Sequence, residues 1–414
     1  MQICYTRHVN KEPTKQKCSA CGNNYTPHAL LYISETSGII FTLLEEYFPN
    51  PITGWLYGIS SYFEYLNFTI LREVGFATYR NLVPTLGRAK VLYEEAQRRK
   101  INMRTISLFG KPLDYFVVDF PNNTTMLFRG LPKMLNGPLA AQGWLDDKYI
   151  FKRKAQTTGI AVPNGNTAWS LRAAKTIFNR LKKPVIVKPR QGSRGRHTTT
   201  WVQTEAELEI AFHSATQICA CAMIEEQLQG SVYRGTVVDG EVVGILAGDQ
   251  PRITGDGKST INKLIQEKNT AKAEGIADVV LDEKLEQFLK RSGYTTETIL
   301  AKGTTIDISE KIGVAYGGDA RNVTDVTHPK VIEYLRKAGA LVEDPIVGFD
   351  FIIPDISADP DNQHWGFIEC NGLPFINLHH DARIGGSINV AGKVWDYVLR
   401  EIAKKPRKKL WICL

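Results

Sequence analysis

The sequence predicts a mixed α/β protein, of the α+β or α/β class, in two or three domains. Three observations carry that reading. The chain has 414 residues, more than one hydrophobic core usually organises. From residue 87 onward, short β-branched and aromatic runs alternate with segments of helical period. Two apolar runs, 346–353 and 365–370, flank a loop rich in Pro, Asp, Asn and Ser, the pattern of a hairpin.

Bulk properties narrow the function classes. Hydrophobic residues make up 43% and charged ones 23%, the balance of a soluble globular chain. No apolar run is long enough for a membrane span; Glu64, Asn67, Arg72 and Glu73 interrupt the aromatic-rich stretch 52–76. The first residues lack the pattern of a signal peptide. The seven scattered cysteines do not form a disulfide framework, so a reducing, cytoplasmic setting is expected. A net charge of +8 suits nucleic acid or a polyanionic nucleotide, and nucleic acid is not the expected partner. The basic stretch in 405–414 reads as a solvated tail.

Residues 1–30 hold Cys4, His8, Cys18, Cys21 and His28. Cys18-Ser-Ala-Cys21-Gly has the shape of half a zinc ribbon, which Cys4 and His8 or His28 would have to complete. The second Cys pair is absent, so unligated thiols are expected in place of Zn²⁺ at Cys18/Cys21. Residues 31–140 read as an N-terminal α/β lobe: a helix over 87–100, then strands over 103–109, 115–120 and 125–128. No catalytic constellation falls there.

Chemistry begins at Asp146-Asp147-Lys148, which opens a helix over 148–158. A helix over 170–181 precedes the strand 185–189, which carries Lys188 near its end. The loop after it, Arg190-Gln191-Gly192-Ser193-Arg194-Gly195-Arg196, puts two glycines among three arginines, a turn able to cradle phosphates. A helix over 204–215 leads to the strand 223–228. The runs 233–238 and 241–247 form a hairpin on Asp239-Gly240. Gly255-Asp-Gly-Lys-Ser259 is a tight turn before the helix 259–268; Arg252 stands where a P-loop needs glycine.

The hairpin 346–370 holds the hard oxygen donors. Residues two apart in a strand share a face, so Glu369 and Asn371 point the same way, and Asp350 joins them if the strands pair. Two carboxylates and an amide oxygen suit Mg²⁺ carrying substrate phosphates.

The succession Asp-Lys…Gly-Ile-x-Val-Pro, Ile-Val-Lys-Pro…Gly…Gly, Ile-Glu-Glu-x-Leu-x-Gly…Arg, Thr-Gly-Asp-Gly-Lys-Ser-Thr-Ile, Gly-Phe-Asp and Glu-x-Asn-x-x-Pro resembles the ATP-grasp ligases. It is most like the ATP-grasp part of cyanophycin synthetase and of bifunctional glutathione synthetase, over about residues 140–404. The resemblance implies an ATP-grasp fold, two lobes gripping ATP, over 141–404, with an ATP-binding subdomain near 148–230 and a catalytic subdomain near 231–404. It implies that Lys148 and Lys188 hold the α- and β-phosphates. The loop of Gln191, Gly192, Ser193, Arg194 and Gly195 would fold over the β- and γ-phosphates. Glu225, Glu226, Gln227 and Leu228 would form the adenine hinge. Asp350, Glu369 and Asn371 would hold two Mg²⁺ ions, Mn²⁺ being the substitute. Arg321 and Arg383 would hold a substrate carboxylate. The implied reaction joins an acid to an amine through an acyl phosphate, on amino-acid or peptide substrates; a homo-oligomer is compatible with it.

The chain departs from the family at Val232, where an acid is usual, at His197, where the phosphate loop often ends in glycine, at 313–316, and at Ile388, where a basic residue is usual. These departures keep other readings open: an ATP-binding regulator without turnover, an ATP-grasp kinase acting on a hydroxyl, and a zinc-ribbon nucleic-acid binder.

Overall fold

A computed structural model describes residues 18, 20, 27–47, 50–134, 143–192, 195–272, 276–309, 313, 316–382, 384–405 and 409–413. In chain order, α1 (His28–Tyr47) and α2 (Asn50–Glu73) lead into β1 (Ala77–Arg80), α3 (Gly87–Arg98), β2 (Asn102–Leu108), β3 (Lys111–Phe120) and β4 (Thr124–Arg129). Next come α4 (Lys148–Thr157), β5 (Gly165–Ala168), α5 (Leu171–Arg180), β6 (Val185–Pro189), β7 (Thr199–Val202), α6 (Glu205–Ala215) and β8 (Ala222–Glu226). Then follow β9 (Ser231–Val238), β10 (Glu241–Gly248), β11 (Arg252–Thr254), α7 (Ile261–Ala271), α8 (Glu283–Arg291), β12 (Thr305–Asp307) and β13 (Ala320–Asn322). The chain finishes with α9 (Pro329–Val342), β14 (Ile346–Ile353), β15 (Gly366–Asn371), α10 (Asn377–His380), α11 (Val390–Lys404) and β16 (Leu410–Cys413).

The chain divides into two compact units, each assembled from separated segments. The first comprises Met1–Ile39, Pro163–Leu228 and Gly248–Ala320; the second comprises Ile40–Val162, Gln229–Ala247 and Arg321–Leu414.

The first unit contains a four-stranded sheet in the order β5-β8-β6-β7. Helices α5 and α6 start where their caps dictate. Ser170 accepts from the Ala173 N–H, and Thr204 with Glu207 forms a capping box. Phe178, Leu208, Ala211 and Phe212 of these helices pack on Val185, Val187 and Ile224 of the sheet. A small satellite core gathers Ile253, Ile261, Ile265, Leu289 and Ile308 around the β11–β12 pair.

The second unit holds two sheets. One runs β1-β2-β3-β4-β16, covered by α3 and α11; Trp395 donates its indole N–H to the Leu92 carbonyl at 3.0 Å. Its last strand corrects an expectation. Residues 410–413, taken as part of a solvated tail, run parallel to β4 with Trp411 buried. The other sheet runs β13-β10-β9-β14-β15. β9 and β10 meet at Asp239-Gly240, both at positive φ (51° and 79°), the two-residue turn that matches strand twist. Phe349, Phe351 and Phe367 are fully buried and stack with Trp365 and Tyr233 into one aromatic core. None of the described helices is long and apolar enough to cross a membrane.

Candidate active site

In the second unit the site grows from strand register. β14 pairs antiparallel with β15, setting Asp350 opposite Glu369 and Gly348 opposite Asn371. β14 also pairs with β9, setting Asp350 opposite Arg234. Alternation sends Phe349 and Phe351 into the core and the acids to the other face. Arg234 donates to Asp350 through both arms of a fork, Nε to Oδ1 at 2.6 Å and Nη2 to Oδ2 at 2.6 Å.

Charge here is concentrated and dry. Burial pushes the Asp350 carboxyl up to about 6; Arg234 pulls it back, and Glu369 pushes it further up. Burial works against the Arg234 charge as well, but Asp350 and Glu369 outweigh it and its pKa is raised. We take Asp350 as ionised at neutral pH, because both its oxygens accept from a guanidinium. Lys148 is the first residue of α4, and its Nζ lies 3.7 Å from Glu369 Oε2. Its position is fixed by the helix cap. Asp147 accepts from the Tyr149 and Ile150 N–H groups, and Thr42 donates to its other oxygen at 3.1 Å. Asp146 accepts from the Gly372 N–H at 2.9 Å, tying the start of α4 to the end of β15.

These residues fit a divalent hard cation. The donors are carboxylate and amide oxygens, the set that Mg²⁺ prefers. Asn371 supports the fit: its Nδ2 is buried with no hydrogen-bond partner among the described residues. The two ends of an amide are exchangeable in assignment, so an amide flip would turn an oxygen to that spot. Behind the acids, His379 lies 2.7 Å from Thr236 Oγ1. Burial, then Arg234 and His380, push its pKa down to about 3, so it is neutral.

In the first unit, Lys188 Nζ lies 2.8 Å from Glu225 Oε2, both side chains buried on neighbouring strands β6 and β8. Just beyond β6 the chain turns: the Arg190 N–H donates to the Cys221 carbonyl at 2.9 Å, and Gln191 is buried. Gly192 and Gly195 take positive φ (118° and 60°), a bend that glycine makes without strain. In the segment expected to form the hinge, the Glu226 N–H donates to Asn164 O at 2.9 Å and the Gln227 N–H to Pro184 O at 3.1 Å. Leu228, the next residue, is buried.

Thus Lys148, Asp350, Glu369 and Asn371 lie in the second unit, and Lys188, Gln191, Gly192, Gly195 and Glu225 to Leu228 in the first. Arg321 lies half-buried in β13 and bridges to Ile384. Ser193, Arg194 and Arg383 lie outside the described residues, as do Cys4, His8 and Cys21. Cys370 is a packed strand residue whose thiol burial pushes well up, which leaves no nucleophilic thiolate. Two residues of the site had no role assigned from sequence. Arg234 stood in the sequence only as the closing Arg of the motif Ile-Glu-Glu-x-Leu-x-Gly…Arg, with no role attached; His379 left no signal at all.

No family model matches the chain. Cyanophycin synthetase of Trichormus variabilis is 30% identical over 257 residues, 60% of this chain and 28% of that protein. The glutathione biosynthesis bifunctional protein GshAB of Clostridium perfringens is 30% identical over 248 residues, 57% of this chain and 31% of that one. The chain therefore spans about a third or less of the curated relatives it matches. Among solved structures, a bifunctional glutathione synthetase from Pasteurella multocida superposes with a TM-score of 0.56 at 21% identity, covering 76% of this chain and 43% of that one. The chain has the ATP-grasp fold, and its sequence resembles the ATP-grasp synthetases.

Proposed function

We propose that the chain is an ATP-dependent carboxylate–amine ligase, forming an amide or peptide bond on amino-acid or peptide substrates. The observation that carries this reading is the cross-strand set Asp350, Glu369 and Asn371, with Arg234 and Lys148 against it. Arg234 and Lys148 hold the two acids in place, and ions arriving with a triphosphate compete with these cations for the carboxylate oxygens. Bound Mg²⁺ (two ions, or Mn²⁺ in its place) supplies charge neutralisation at the transferring phosphoryl group.

The chain's own residues then position the reactants. Lys148 and Lys188 hold the α- and β-phosphates, and the 191–196 loop covers the β- and γ-phosphates. With the N–H groups of Glu226 and Gln227 already donated, the base is read at Leu228. Arg321 and Arg383 hold the acid. A carboxylate oxygen of the substrate attacks the γ-phosphorus; the bond to the β-γ bridging oxygen breaks and ADP leaves with that electron pair. The amine attacks the acyl carbon, loses a proton, and inorganic phosphate departs. Positioning and charge suffice, and no protein nucleophile is required.

The test is ADP release across pools of amino acids and short peptides, with hydroxylamine added to intercept the acyl phosphate. A hydroxamate of the true acid is expected. A phosphorylated alcohol would make the protein a kinase, and ATP binding without acceptor-stimulated ADP release would make it a regulator.

A further inference from the structure

The N-terminal segment brings a third residue type to the phosphate loop. Cys18, His28 and His197 place one sulfur and two imidazole ligand atoms within 4.8 Å of one another. All three belong to the first unit. Cys18 Sγ lies 3.8 Å from His197 Nε2, and the rings of His28 and His197 meet edge to face with centroids 4.8 Å apart. With Zn–S near ~2.3 Å and Zn–N near ~2.05 Å, a tetrahedral zinc separates sulfur and nitrogen by roughly 3.6 Å. The Cys18–His197 spacing lies within a few tenths of an ångström of that value, while the set of three ligand atoms spans up to 4.8 Å.

Proton placement favours ligation. His197 Nδ1 lies 2.8 Å from the Ser214 carbonyl oxygen, which can only accept, so Nδ1 carries the hydrogen. Nε2 then presents its lone pair on the Cys18 side. A histidine oriented through its other nitrogen by a carbonyl is the usual support for a metal ligand. The backbone holds it too, since the His197 N–H donates to Ala20 O at 3.0 Å. His197 is buried and sits at φ 51°, a left-handed conformation that glycine would adopt with less strain. A bulky ring is therefore kept where the backbone alone would favour glycine.

We propose that Cys18, His28 and His197 bind one Zn²⁺ ion that fastens the N-terminal segment to the end of the phosphate loop. Sulfur with imidazole selects zinc over the hard cations that suit the Asp350 set. The role is structural, with a fourth ligand besides these three completing the tetrahedron. α1 is seated on the same region: the Ala220 N–H donates to Thr36 Oγ1 at 3.1 Å. A Cβ added at Gly38 would stand 2.1 Å from Gln191 Oε1. The proposal departs from the expectation of unligated thiols, because it takes a ligand from residue 197 that no local pattern announced. Cys21, the partner first considered for Cys18, lies outside the described residues.

The experiment uses the full chain, expressed with added zinc and purified without chelator. Elemental analysis should find about one zinc per chain, and Cys18→Ser should lose it. His197→Gly is the informative variant: glycine tolerates the left-handed backbone, so the fold should persist while zinc is lost. Co²⁺ added to chelator-treated wild type should give the visible bands of a tetrahedral site with a thiolate-to-cobalt charge-transfer band. Background zinc together with no such cobalt spectrum would overturn the proposal. So would equal zinc content in wild type and His197→Gly.

Discussion

The two sets of candidate residues, one in each unit, are held by different means. In the second unit, Asp350, Glu369 and Arg234 are brought together because three strands lie in register, with Asp350 directly opposite both Arg234 and Glu369. In the first unit, the residues after Lys188 lie on a turn, and their contacts come from remote chain: Cys221 for Arg190, and Ala20 and Cys18 for His197. A sheet preorganises the acids whatever happens elsewhere; the loop depends on what docks against it. The first arrangement suits metal ligands, whose geometry must not change. The second suits a phosphate cover, which admits and releases nucleotide.

The largest effect should follow from removing charge on the sheet side. Glu369→Gln and Asp350→Asn should each lower ADP release by at least about a thousand-fold, ~4 kcal/mol in the barrier, with the fold retained by circular dichroism. Gln191→Ala on the loop side should cost only about tenfold. Normal turnover in both acid variants would sink the metal assignment, and equal losses on both sides would erase the contrast.

Stability should show the same contrast. Arg234→Ala leaves Asp350 buried beside Glu369 without its fork, at a cost of roughly 3–5 kcal/mol in urea unfolding. Arg234→Lys should recover only part of this, because an ammonium does not reproduce the bidentate geometry. A cost below about 1 kcal/mol would mean that solvent, not Arg234, balances the acids.

The smallest effect is one of pH. His379 is neutral in the fold, with its pKa pushed down to about 3 by burial, whereas unfolded histidine takes up a proton near its ordinary value of 6.5. Its contribution is therefore complete above pH 6.5 and is lost as pH falls from there toward 3. At pH 5 the loss amounts to roughly 2 kcal/mol. His379→Gln should flatten that part of the stability profile; an unchanged slope would show that other groups set it.

Much of this was legible in the sequence, for a physical reason. Strand alternation is local information, so the run Ile346–Ile353 gave its own bounds, and the shared face of Glu369 and Asn371 followed from spacing alone. Asp239-Gly240 announced its hairpin, and Lys188 its strand end, in the same way. What escaped was long-range. The partner of Asp350 depends on which strand lies next to β14. The pairing of 410–413 depends on a free edge at β4, and the setting of His197 depends on residues near 20 and 28. α2 escaped differently: Gly54, Gly58 and many aromatic and β-branched residues in 50–73 mute its helical propensity.

The interleaving of the two units has a consequence for how the protein is made. The chain passes from one unit to the other after residues 39, 162, 228, 247 and 320. On a ribosome, the second unit waits for α11 and β16, so it cannot close as an early, self-sufficient package, whereas the core around β6 gathers wholly within residues 168–224. Apolar faces such as that of α3 must stay exposed until α11 and β16, which cover them, have been translated. Slow codons, a nascent-chain holdase or a low growth temperature should therefore change soluble yield more than they would for a chain whose units are contiguous. For the same reason no single cut releases either unit intact.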